Sequence, residues 1–115
     1  MEDSILVSIK QMLGIYDEDT AFDSEIVLHI NGAIADLTHV GVGPKEGFTI
    51  LDKSTRWDEF SDNQTINAQA KIYVYCKVRL IFDPPSNSFV VDSITKTKDE
   101  AQWRLYMIAD EENLT

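Results

Sequence analysis

A chain of 115 residues with 43% apolar side chains, two Trp, four Tyr and five Phe supports one buried core and is too apolar for disorder. Twenty acidic against ten basic residues leave a net charge of −10, which repels phosphates and excludes a free-standing nucleic-acid binder; DNA is either not a ligand or passes nearby without being held. The single cysteine, Cys76, lies in an apolar run and has no internal disulfide partner, the usage of a small core residue in a reducing compartment.

The start, MEDSILVSIKQMLG, carries two acids and lacks the basic flank and small-residue cleavage site of a signal peptide. No apolar stretch approaches the ~20 residues that span a bilayer. The expectation is a soluble chain working in cytoplasm, with no membrane partner. Within residues 4–13, Ile5, Leu6, Ile9, Met12 and Leu13 recur at helical spacing and Gly14 follows as a stop. An acidic linker, IYDEDTAFD, comes next and reads as solvated. Asp23 or Ser24 then caps a second helix whose stripe is Ile26, Ile30, Ala33, Ile34 and Leu37. It ends before GVGP.

Residues 40–63 form a long irregular loop punctuated by Gly41, Gly43, Pro44 and Gly47. A loop of this length is either functional or pinned by its own side chains. Its TRWDEF segment predicts one helical turn pressing Trp57 and Phe60 onto the core. Residues 64–82 carry two patterns. Ile72, Val74, Cys76, Val78, Leu80 and Phe82 alternate as in a strand, while Ile66, Ala70, Tyr73, Val74, Lys77 and Ile81 fit a helical stripe. A run this long without Gly or Pro exceeds an ordinary strand and predicts a helix. Its end, 73–82, is apolar nearly all round, so it is either the central helix of a bundle or partly covered by another subunit.

Asp83, Pro84 and Pro85 stop that helix and make a stiff structural turn. Ser86 or Ser88 caps a last helix with Phe89, Val90, Ile94, Ala101, Leu105 and Ile108 along it, and Glu100 and Arg104 form an i,i+4 pair. The end, ADEENLT (about 109–115), is expected to be a flexible tail that a partner could order. The sum is a single all-α domain over 1–115: a small bundle of four main helices with the 40–63 loop, joined at one corner by an αα-hairpin.

Chemistry is hard to find. GVGPKEG lacks the Gly-Lys-Ser/Thr ending of a phosphate loop and follows no strand. In the Asp17, Asp19, Asp23 series, Phe22 stands where a calcium loop needs glycine and Leu28 where it needs glutamate. His29 and His39 are ten residues apart, and no other Cys or His completes a metal set. Nothing resembles a nucleophile elbow. The expectation is no enzyme, no metal and no cofactor.

The stretches SIKQMLGI, HINGAIADLTHVGVGPKEGF (29–48), WDEF (57–60), IYVYCKVRLIFDPPSNSFVVDSI (72–94) and EAQWRL (100–105) together resemble the small head–tail connector, or adaptor, proteins of long-tailed double-stranded DNA phages and prophages. The resemblance covers nearly the whole chain and is specific as a set. It implies a mostly helical structural protein of the virion, made in the host cytoplasm. About twelve copies would form a ring beneath the portal protein, joined to a head-closure or tail-completion protein, with closed heterologous contacts between neighbours. DNA would pass through the ring without sequence-specific binding, helped by acids facing the channel. Interface candidates by residue type are Trp57, Phe60, Lys77, Arg79, Trp103, Arg104 and Tyr106; the two tryptophans could equally fill the subunit core. The alternative from charge alone is a small acidic interaction module that mimics DNA.

Overall fold

The computed structural model describes residues 3–114; Met1, Glu2 and Thr115, the last residue of the expected tail, lie outside the described residues. Regular structure within that range is helical throughout: α1 (Ile5–Leu13), α2 (Asp23–His39), the single turn α3 (Trp57–Phe60), α4 (Gln64–Phe82) and α5 (Ser88–Leu114). The all-α bundle of four main helices expected from the sequence is what forms. Helix α4 is its centre, packed on α1, α2 and α3 and most extensively on α5. That position accounts for its nearly all-round apolar surface, and the competing strand pattern has no structural counterpart.

The core follows from the stripes. Ile26, Ile30, Ala33, Ile34 and Leu37 of α2 are fully buried with Ile5 and Ile9 of α1 and Ala70, Val74 and Val78 of α4. Each large side chain so buried contributes about 1.5–3 kcal/mol. Helix α1 starts at Ser4, whose hydroxyl accepts from the Val7 N–H at 3.2 Å. It ends at Gly14 with φ 80°, a left-handed stop that costs glycine little.

Two caps differ from expectation. Helix α2 has Phe22 at its cap position without a side-chain bond, because the Asp23 carboxylate turns inward to Lys10. It still gains from Asp23 and Glu25 in its first turn, next to the positive end of the helix dipole. Helix α5 is capped by Asn87, whose side-chain oxygen accepts from the Phe89 N–H at 2.8 Å; Ser86 lies a residue too early and Ser88 is already helical. Between the helices the Arg79 guanidinium donates to the Asp83 carbonyl at 2.7 Å, and Asp83, Pro84 and Pro85 form the corner. Helix α5 continues through 109–114, the stretch expected as a tail, and Ala109 belongs to the core.

The linker is a second departure. It is not simply solvated: Lys10, 1% exposed, sends its ammonium into it. The Nζ donates to the carbonyls of Asp17 at 3.0 Å and Asp19 at 2.7 Å and lies 2.8 Å from the Asp23 carboxylate. The 40–63 loop is pinned in a comparable way. The Asn31 side chain exchanges two hydrogen bonds with the Ile50 backbone, at 3.0 and 2.8 Å, and Ile50 is fully buried. Residues 3–5 bridge to 55–57 through the Ile5 N–H on the Thr55 carbonyl and the Trp57 N–H on the Asp3 carbonyl. The predicted turn at TRWDEF is α3, with Trp57 and Phe60 both buried.

Candidate assembly surface

The seven candidate residues divide by location. Trp57 and Phe60 are inside the subunit: the Trp57 indole donates to Ser8 Oγ at 2.9 Å, and the Phe60 ring packs edge-on against Trp57 and Phe48. Lys77 and Arg79 are half-buried and engaged within the chain. Lys77 pairs with Asp36, which also accepts from the Tyr73 hydroxyl at 3.1 Å. Burial and then the nearby Lys98 lower the Lys77 pKa. Arg79 binds the Asp83 carbonyl and the Tyr75 hydroxyl.

Trp103, Arg104 and Tyr106 lie on the outward face of α5. Trp103 is 63% exposed and Tyr106 50%. Helical phase explains this: Ala101, Leu105 and Ala109, four apart, point at α4, and Trp103 falls about half a turn from Leu105. Met107, which the sequence reading did not single out, joins the same exposed face. Arg104 lies 3.6 Å from Glu100, the predicted i,i+4 pair, and 3.5 Å from Gln69. An open concavity along this face is lined by Asp92, Lys96, Asp99, Trp103 and Arg104 among others.

Phe89 and Val90, placed from sequence along the last helix, are exposed at 83% and 42%. Phe89 is twelve residues from Ala101, which at 100° per residue puts it a third of a turn off the buried face. Wheel phase was available in the sequence and could have found this for Phe89; Val90, eleven residues from Ala101, is nearly in phase with it, and helical phase does not account for its exposure.

Burial pushes the Cys76 thiol up, against a smaller opposing pull from Lys98, so the thiolate is scarce at neutral pH. Among the described residues no group of three or more His, Cys, Asp or Glu side chains is placed to hold a metal ion, and no helix is long and apolar enough to cross a membrane.

Fold and surface define a small all-helical protein that exposes Trp103, Arg104 and Tyr106 together on one face of α5. Residues 5–112 match the phage connector protein family, and the chain belongs to that family. No curated protein and no solved structure matches it. Membership identifies a structural head–tail connector component of phage particles and implies interaction with the portal and other virion proteins.

Proposed function

We propose that copies of this chain close into a ring stacked on the portal, that the ring receives the head-closure or tail-completion protein on its other side, and that DNA crosses it during packaging or ejection. The observation that carries this reading is the outward face of α5, where Trp103, Arg104, Tyr106 and Met107 are exposed on a family member built for assembly. Trp, Tyr and Arg are the residue types that dominate interface energetics when a partner desolvates them. The role asked of the chain is contact and shape. Its net charge of −10 suits a channel that must not hold DNA, since acids facing the axis repel phosphate and leave the duplex free to slide.

Light scattering on the purified chain, alone and mixed with the portal protein of the same phage, tests the reading. The expected result is a ring-sized species in at least one sample. Trp103→Ala is expected to abolish that species while leaving the helical circular dichroism unchanged, because the side chain is 63% exposed in the single subunit. A monomer that ignores the portal at every salt concentration, yet binds a basic partner in a salt-sensitive way, would transfer the weight to an acidic interaction module.

A further inference from the structure

We propose that the α4–α5 corner of one copy, led by Phe89, seats in the acid-rimmed cavity on the α1–α2 flank of the next copy. The proposal rests on the ring reading above and names the two surfaces through which neighbours would meet. Among the described residues the two most exposed large apolar side chains are Leu51, at 89%, and Phe89, at 83%. Leu51 stands at a cavity of about 400 Å³ whose apolar lining includes Leu6 and Val27. Phe89 stands at the start of α5, just past Pro84 and Pro85. One surface is a hollow and the other a projecting ring on a stiff support, and each carries apolar area that its own subunit leaves in water.

Charge selects a second copy as the occupant. Each copy carries −10, so two copies repel wherever acids meet acids. The corner limits this, because residues 84–91 include no charged side chain and the Asp83 carboxylate before them lies 3.7 Å from Arg79. Helix α5 also has no acidic residue in its first turn, so the partial positive charge at the start of a 27-residue helix is not neutralised there. The cavity supplies the opposite sign, with Asp17, Asp23 and Asp52 against Lys53 alone. Of the three carboxylates, Asp23 is already held by Lys10; Asp17, and Asp52 through the oxygen that Ser54 does not occupy, face the incoming helix end. The double proline limits the backbone freedom lost on docking.

The test uses two surface variants of the full chain, Phe89→Asp and Leu51→Asp, with mass read by light scattering alone and with the portal protein. Both positions are almost fully exposed, so circular dichroism should be unchanged. Each variant alone is expected to associate about 30-fold or more weakly than the wild type, the loss expected at a dominant interface position. An equimolar mixture of the two should stop at a heterodimer. The intact corner of Leu51→Asp then fits the intact cavity of Phe89→Asp, and the two surfaces left over are both damaged. A wild type that assembles while both variants assemble equally well overturns this contact and leaves the ring standing. Variants that form rings but no longer bind the portal overturn it too, and assign the surfaces to the portal. A wild type that stays monomeric in every sample overturns the ring and the contact together.

Discussion

Lys10 shows how one residue can fix a segment that composition labels as solvent. Its ammonium takes two carbonyls and a carboxylate from the 17–23 stretch, and its own side chain is 2% exposed. Lys10→Met would keep much of the stem packing and strand those three acceptors. We expect a loss of about 3 kcal/mol, the lower end for a broken buried pair because Asp23 is partly solvated, read from a urea midpoint. Cys76 and Tyr73 are expected to weaken the fold at alkaline pH. Burial raises both pKa values, from ordinary values of 9.0 and 10.0. A group whose folded pKa is raised contributes stability that is complete below its unfolded pKa and is lost as pH rises beyond it. Urea midpoints should therefore decline above about pH 9, and Cys76→Ala should move the onset toward pH 10, whatever it costs at neutral pH. An onset unchanged by that substitution would show that the thiol does not govern it.

Each helix was legible at the scale of the element because each had a local signature. Ser4 and Gly14 bracket α1, the five-residue aliphatic stripe marks α2, the double proline ends α4, and the run from 64 to 82 was too long for a strand. What the sequence did not yield were choices made by distant contacts. Asp23 gave up its capping role to Lys10, thirteen positions earlier, and Asn31 locked Ile50 from nineteen positions away. Neither pairing leaves a periodic trace. The exposure of Phe89 follows from a helical phase that a list of apolar residues does not carry. The 40–63 loop, irregular by composition, is held by the Asn31–Ile50 bonds, by the bridge from residues 3–5 and by one close approach at Gly43. Gly43 has φ 85°, and a Cβ there would lie 2.5 Å from the Phe60 ring. Gly43→Ala should cost about 2 kcal/mol or more from backbone strain and displacement of that ring. Thermal melting checks it, with a shift smaller than that of a neutral surface substitution counting against the close approach.

For the whole molecule, fold class and family were readable in advance, while the assembly surface was readable only as a list of residue types. Sorting that list needed coordinates: Trp57 and Phe60 serve the subunit interior, Lys77 and Arg79 are tied to Asp36 and Asp83, and Trp103, Arg104 and Tyr106 are exposed on α5. The same scale gives an ionic-strength prediction. Copies at −10 repel through solvent, and raising salt from about 0.05 M to about 0.5 M shortens the screening length from ~14 Å to ~4 Å. Self-association should therefore strengthen with salt, measured as the concentration at which the monomer gives way to larger species. Association that weakens over that range would point to contacts dominated by opposite charges.

The caged ammonium of Lys10 also bears on where such a particle can survive. Two carbonyls and a carboxylate around a positive centre are the surroundings that a divalent ion seeks in an acidic loop, and here the centre is bonded to the chain. A tethered ion is made with the protein, needs no supply from the medium and cannot be stripped by a chelator. The order of the 17–23 segment, and of the hollow beside it, is thereby independent of the mineral content of the water a virion enters between hosts.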